Sequence, residues 1–411
     1  MDLTRIFEKH PDWDATRRVL ETLHGEGHKA FLAGGCVRDA LLGRLAQDFD
    51  IATSATPEQV ELLFPGAVTV GKAFGVVVVP AGRAQIEVAS FRKDGLYIDG
   101  RRPTHVEFAT PEEDAQRRDF TVNALFFDLT TSRVLDFVGG EADLGRGILR
   151  TVGDPAQRFK EDHLRLIRAI RFAAQLGFQI EPSTWKSVQT LCASIQTVSR
   201  ERLRDEMGKL LTSSHPRVGI GLLQAGGYLP SLFPGFEDHL PRLEALFEKP
   251  CGPNFQLAWS LWLFPWSLER PWASSPKIQA MNEVSQLLHT WKFSTADARS
   301  IGHVLGAYRS LSAGTPSTGL IKRSLIEPWS ALFINFLRAL PSEYLHDAHR
   351  RALDWGPLQV SPFLAGKDVL DCGFLAGPKA GELLEKAFTL QLEGALKDRP
   401  QALEWLRAQP K

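Results

Sequence analysis

Apolar positions recur at helical spacing through Trp13, Val19, Leu20 and Leu23, which predicts a helix over 12–24 closed by Gly25-Glu26-Gly27. The next apolar run, Phe31-Leu32-Ala33, is short and stops at Gly34-Gly35, so it reads as a strand entering a turn. A helix from Gly35 and a second strand carrying Asp48 and Asp50 follow. Thr56-Pro57 is a helix start, Thr as cap and Pro at the first position, for a helix ending near Phe64. Val76–Val79 and Ala84–Ser90 predict a hairpin across Ala81-Gly82-Arg83; in the second strand Ile86 and Val88 share one face and Gln85, Glu87 and Ala89 the other. Phe91 to Pro103 is polar and reads as a basic loop. Glu112–Asn123 is expected as one helix, with closing strands at Ala124–Leu129 and Arg133–Phe137. After Val138-Gly139-Gly140 alternation ceases and helical spacing runs to the end. A helix opens at Asp154-Pro155, and Phe255–Trp266 is apolar all round, the mark of a buried helix.

The fold class is therefore α+β: a mixed sheet with helices in an N-terminal head, then an all-α remainder. We divide the chain into a head (1–138), neck (139–215), body (216–340) and tail (341–411).

Composition narrows the setting. Of 411 residues, 44% are hydrophobic and 23% charged, as in ordinary globular proteins. No apolar run is long enough to span a membrane, and Met1-Asp2-Leu3-Thr4-Arg5 carries no targeting pattern. Cys36, Cys192, Cys251 and Cys372 lie far apart with no CxxC pair, which argues against zinc or a disulfide framework and predicts free thiols in the cytoplasm. Lys plus Arg equals Asp plus Glu at 48 each, so the net charge is zero. A nucleic-acid partner must then be met by basic residues sorted onto one surface. No protein partner is legible.

The chemistry gathers at Gly34–Asp50. A glycine pair lets backbone N–H groups face outward, and a helix opening there adds partial positive charge, which suits a phosphate. On a strand Asp48 and Asp50 would lie on one face, roughly 7 Å apart, and Glu87 completes a three-carboxylate cluster if its strand lies alongside. Such carboxylates opposite a phosphate cradle can hold Mg²⁺ for displacement at phosphorus. Farther on, Arg117-Arg118-Asp119 has the look of a surface ion-pair cluster. Asp162 and Arg165 are three apart on a helix, the spacing of a surface salt bridge.

These stretches, in this order, resemble the bacterial-type (class II) tRNA nucleotidyltransferase and poly(A) polymerase family, with its polymerase-β-type head. Gly34-Gly35-Cys36-Val37-Arg38-Asp39 with Asp48-Phe49-Asp50 is similar to its first motif, and Arg117-Arg118-Asp119-Phe120-Thr121-Val122-Asn123-Ala124 to its second. Asp136 to Leu144 resembles its Gly-rich hinge, Glu161-Asp162-His163-Leu164-Arg165 its fourth motif, and Glu201-Arg202 to Glu206 its fifth. The resemblance implies two-metal nucleotidyl transfer with Mg²⁺ on Asp48 and Asp50, which Glu87 joins as a catalytic carboxylate if its strand lies alongside. It implies Gly34, Gly35, Arg38 and Arg118 on the triphosphate, and Asp119 on the ribose with support from Asn123. Asp162 and Arg165 would select the base, with Glu161, Arg168, Arg171, Arg202 and Glu206 as support. A carboxylate accepts from an exocyclic amine while a guanidinium donates to a ring acceptor; cytosine and adenine offer both, uracil and guanine do not.

Within the family, the full-length Arg92–Pro103 loop disfavours addition of CC alone. The near-neutral C-terminus and the Val70–Gly75 segment disfavour a poly(A) polymerase. Gly366–Leu370 and Gly377–Leu384 resemble the tRNA-binding tail. The expectation is CCA addition to the tRNA 3′ acceptor end from CTP and ATP. The alternatives are addition of A alone, poly(A) synthesis, or, in a different class, a non-catalytic RNA-binding protein. His346-Asp347 lacks obvious partners for a phosphohydrolase, and no such activity is expected.

Overall fold

The computed structural model describes residues 2–70, 75–95, 105–269, 284–326 and 328–410. The chain divides into two compact units, Met1–Glu206 with Gly221–Leu232, and Met207–Ile220 with Phe233–Lys411.

The first unit is built on a seven-stranded mixed sheet. Its strands are β1 (Ala30–Ala33), β2 (Asp50–Thr53), β3 (Val68–Thr69), β4 (Val76–Ala81), β5 (Ala84–Ser90), β8 (Leu125–Asp128) and β9 (Arg133–Asp136), in the order β3-β4-β5-β2-β1-β8-β9. A small separate pair, β6 (Arg92–Asp94) and β7 (Val106–Phe108), lies between β5 and β8 in sequence. β2 runs parallel to β5 and antiparallel to β1. One face carries a core of Phe31, Ala33, Ala52, Phe91, Ala115, Ala124 and Phe126. Elsewhere in the unit Phe7, Trp13, Phe49 and Phe127 pack together. The helices are α1 (Thr4–Phe7), α2 (Trp13–Gly25), α3 (Gly35–Leu41), α4 (Pro57–Leu63), α5 (Pro111–Gln116), α6 (Gly140–Arg146), α7 (Pro155–Glu161), α8 (Leu164–Leu176), α9 (Pro182–Thr190) and α10 (Arg200–Leu211), the last running on into the second unit.

Four local expectations are corrected. Asp48 is not on the strand, which begins at Asp50. The antiparallel register Leu32↔Ile51 would pair Asp48 with Gly35, but Gly35 has already turned into α3, so no ladder reaches that far. The expected helix over Glu112–Asn123 stops at Gln116, and only Thr121–Asn123 forms a further short helical turn. Asp119–Thr121 pairs instead with Arg150–Val152, through Thr121 N–H to Arg150 C=O and Val152 N–H to Asp119 C=O. The run Asp-Phe-Thr-Val-Asn has little helical preference to resist this. The helix opening at Pro155 breaks at Asp162, whose backbone is extended and whose carboxylate accepts from Leu164 N–H, starting α8. Finally, Arg92–Asp94 is a strand at the base of the expected loop; loop residues 96–104 lie outside the described ones.

The second unit is helical. α11 (Phe255–Leu268) is buried, as its uniform apolarity requires, with Trp259 and Trp262 packed against Phe233. His346 precedes the helix Asp347–Trp355, and the buried His349 stacks on Tyr308. A C-terminal cluster gathers Leu364, Val369, Phe374, Leu383, Ala402 and Leu406. No described helix is long and apolar enough to cross a membrane.

Candidate active site

The glycine turn at the end of β1 sets the geometry. Gly34 has φ +74°, and a Cβ there would lie 3.0 Å from Arg118 Nη1. The residue must be glycine on both counts: the left-handed backbone and the arginine lying over it. Gly34 N–H donates to Leu125 C=O, tying the turn to β8.

Asp50 opens β2 beside the turn, and the parallel register pairs it with Glu87. Burial pushes the Asp50 carboxyl up to about 6, and the charges of Asp48 and Glu87 push in the same direction, against a smaller opposing effect of Arg118. Beneath it the buried Cys36 thiol is raised to about 12, by burial first and then by Asp50. A half-buried carboxylate with two like charges near it and one smaller opposing arginine is short of positive charge. The three do not close into a cage, since among the described residues no group of three or more His, Cys, Asp or Glu is placed to hold a metal. An oxygen-ligated divalent cation that keeps water and substrate phosphates in its shell fits two or three partly exposed carboxylates; a closed protein cage is not its requirement.

Arg118 is gripped by Asp114, Nε at 3.1 Å and Nη2 at 3.0 Å, and its Nη1 donates to Asn123 C=O at 3.2 Å. Arg38 stands behind the turn. It is 4% exposed, donates to Asp39 at 2.8 Å and to Asn123 Oδ1 at 2.6 Å, and lies over Phe172. Arg118 thus lies over Gly34, while Arg38 Nη2 would lie 3.7 Å from a Cβ on Gly35.

Asp119 is fully engaged. Oδ2 accepts from Arg168 Nε and Nη2 at 2.9 and 2.6 Å; Oδ1 accepts from Phe120 N–H at 2.8 Å and Asn123 Nδ2 at 3.2 Å. Burial alone would raise its carboxyl, but Arg168 dominates and holds it at about 2. Arg168 is in turn shifted up, the attraction of Asp119 and Glu206 outweighing burial. Arg171 donates to Glu206 at 2.9 Å, yet burial brings it down to about 10.

Asp162 and Arg165 do not pair with each other. Arg202 holds Asp162 through Nη1 at 3.2 Å and Nη2 at 2.7 Å. Arg165 Nη1 donates to Glu161 at 2.8 Å and to Arg158 C=O at 3.1 Å, while Nη2 donates to Arg117 C=O at 3.1 Å. α10 therefore meets the α7–α8 junction through Arg202 on Asp162 and, one turn on, the body of α8 through Glu206 on Arg168 and Arg171.

The expected hinge at Gly139-Gly140 is pinned. Asp136 Oδ1 accepts from the N–H groups of Val138, Gly139 and Gly140, and its Oδ2 from Glu141. A Cβ on Gly140 would lie 2.3 Å from Thr121 C=O. Sequence reasoning passed over Asp114, which had a usable signal, its spacing of three and four to Arg117 and Arg118. Asp136 and Asp143 entered only as members of the hinge motif, without individual roles; Asp143 is bound to Thr121 and Arg150.

A mixed sheet with a glycine turn, paired aspartates and an overhanging arginine defines a nucleotidyltransferase head. Residues 30–150 match the Poly A polymerase head domain, and residues 177–240 match the probable RNA and SrmB-binding site of polymerase A. The chain belongs to the CCA-adding enzyme family. It is 38% identical to the CCA-adding enzyme of Lactiplantibacillus plantarum over 74% of this chain and 71% of that one. It is 34% identical to that of Geobacillus stearothermophilus over 96% and 97%. The crystal structure of Bacillus stearothermophilus CCA-adding enzyme in complex with CTP superimposes with a TM-score of 0.76 at 31% identity, covering 97% of each chain. Enzymes of this class generally work with a divalent metal ion.

Proposed function

We propose that this enzyme adds C, C and A to the 3′ end of tRNA lacking them, taking CTP and ATP and releasing pyrophosphate. The observation that carries the reading is the state of the Asp162 and Arg165 edges. Three of the roughly four acceptor positions of the Asp162 carboxylate are filled, by Leu164 and twice by Arg202. Three of the five Arg165 donors are filled, by Arg158, Glu161 and Arg117. Among the described residues that leaves one acceptor, and the Nε and second Nη2 hydrogens as donors. One acceptor and two donors are the groups that an amine and a ring acceptor require, the edge of cytosine and adenine.

Asp48 and Asp50 would hold Mg²⁺, with Glu87 adding negative charge. When bound, Mg²⁺ supplies Lewis-acid neutralisation of the triphosphate and favours ionisation of the attacking 3′-hydroxyl. Gly34 and Gly35 admit the phosphates close to the backbone, and Arg118 holds them, with Arg38 bracing the turn through Asn123. Asp119 and Asn123 would meet the sugar; because the carboxylate is saturated, a ribose hydroxyl would have to displace the longest of its bonds, that from Asn123. Glu161, Arg168, Arg171, Arg202 and Glu206 hold the base-reading pair in orientation. In this reading the head (1–138) and neck (139–215) perform the transfer, while the body (216–340) and tail (341–411) carry the tRNA. The four free cysteines support a cytoplasmic setting.

The test is product length. The protein receives tRNA lacking CCA, tRNA ending in CC and an unrelated oligonucleotide, with CTP and ATP singly and together. Completion of CCA on the first substrate is expected. Extension of the CC end alone means an A-adding enzyme, a long tail on the oligonucleotide means a poly(A) polymerase, and no product means a binding protein.

A further inference from the structure

We propose that Asp114 is a positioning residue that sets the triphosphate arginine and the base-reading arginine from one buried carboxylate; this rests on the functional reading given above. Asp114 sits on the last turns of α5 and is 1% exposed. Its Oδ1 accepts from Arg117 Nε at 2.9 Å and Nη2 at 2.6 Å, and its Oδ2 from Arg118 Nε at 3.1 Å and Nη2 at 3.0 Å. Two adjacent guanidiniums are thereby held side-on by one anion, an arrangement that leaves a net positive charge beside the glycine turn.

The two arginines then lead in different directions. Arg118, with its side-on edge fixed, has only Nη1 aimed forward, over Gly34 and onto Asn123 C=O at 3.2 Å. Arg117 is fixed at its side chain, also by donation to Arg92 C=O at 3.1 Å, and its own carbonyl lies beyond the end of α5. That carbonyl accepts from Arg165 Nη2 at 3.1 Å. Triphosphate grip and base reading thus share one anchor, which the spacing Asp114, Arg117, Arg118 puts on a single helical face before the chain breaks away. An ordinary ion pair at the end of a helix would not connect to both.

The three residues should therefore separate two readouts: equilibrium affinity for CTP, and the ratio of CTP to UTP affinity. Arg118→Ala should weaken CTP and UTP alike. Arg117→Met should lower the CTP:UTP ratio by roughly tenfold while CTP affinity falls far less. Asp114→Asn should do both, weakening CTP by about tenfold to a hundredfold, the worth of a lost charge-assisted pair. Asp114→Asn should add little to Arg118→Ala in CTP affinity, because it acts through that side chain. A folded Asp114→Asn with both readouts within twofold of wild type overturns the proposal, as does additivity in the double variant. Should Asp114→Asn fail to fold, an unchanged ratio in Arg117→Met overturns it. Binding is independent of turnover: a wild-type protein that adds nothing to tRNA, yet loses CTP affinity on Asp114→Asn, refutes the proposed reaction and leaves this proposal standing.

Discussion

Replacing Asp162 by asparagine should largely erase the base preference. In Asp162→Asn the amide oxygen must lie where Leu164 N–H, at 3.0 Å, and Arg202 Nη1, at 3.2 Å, both donate. The amide NH₂ then takes the place of Oδ2, facing Arg202 Nη2 across 2.7 Å. Two donors cannot share that distance, so Arg202 withdraws and the outward position becomes a donor. Cytosine and adenine now meet an N–H where they need an acceptor; uracil and guanine gain a partner for O4 or O6, while the Arg165 donors still face their ring N–H, so the preference is levelled and not reversed. A buried group left unpaired costs about 1–3 kcal/mol. That is ~5-fold to 150-fold against CTP and a similar factor in favour of UTP, so the ratio should fall by about 30-fold to 10⁴-fold. The assay is single-turnover kcat/KM for CTP and for UTP on tRNA lacking CCA. A ratio unchanged within threefold, with both rates lowered together, would show that Asp162 only starts α8 and reads nothing.

Three further outcomes follow from the geometry. The Asp50 carboxyl, raised from 3.8 to about 6, favours the protonated fold at low pH; its contribution to stability is present below about 4 and lost as pH rises through 6. Cation binding needs the ionised form, so Mg²⁺ affinity measured by titration calorimetry should be about tenfold weaker at pH 5 than at pH 7.5, and a flat profile would count against Asp50 as a ligand. Gly34→Ala combines a φ of +74° with a Cβ 3.0 Å from Arg118; kcat/KM should drop about a hundredfold or more in a protein whose circular dichroism is unchanged, and wild-type turnover would refute the close approach. Arg168→Met strips Asp119 of the partner that holds it at about 2 rather than 3.8, a difference on the order of 2 kcal/mol present above pH 4 and lost as pH falls through 2. With a buried carboxylate left unpaired, urea unfolding of the variant at pH 7 should show a loss of ~3–5 kcal/mol, whereas an unaltered midpoint would mean the pair contributes nothing.

The sequence by itself determined the division into a mixed-sheet head and a helical remainder, because alternation and helical spacing are local and survive any packing. It also determined the glycine turn, the Thr56 and Asp154 helix starts and the buried α11, each fixed by residues within a few positions of one another. The site was legible as a set of residue types and not as a geometry. Asp48 looks like a strand residue until the ladder is seen to end at Gly35; the helix over Glu112–Asn123 is plausible until Thr121 is seen to pair with Arg150. Asp162 and Arg165 have the spacing of an ion pair, and only tertiary structure turns them to separate partners: Arg202 arrives from α10, and Glu161 and the Arg117 carbonyl claim the guanidinium. Hydrogen-bonding capacity is shared out among groups far apart in the chain, so which edges stay open for a nucleotide is decided by the fold and by no window of sequence.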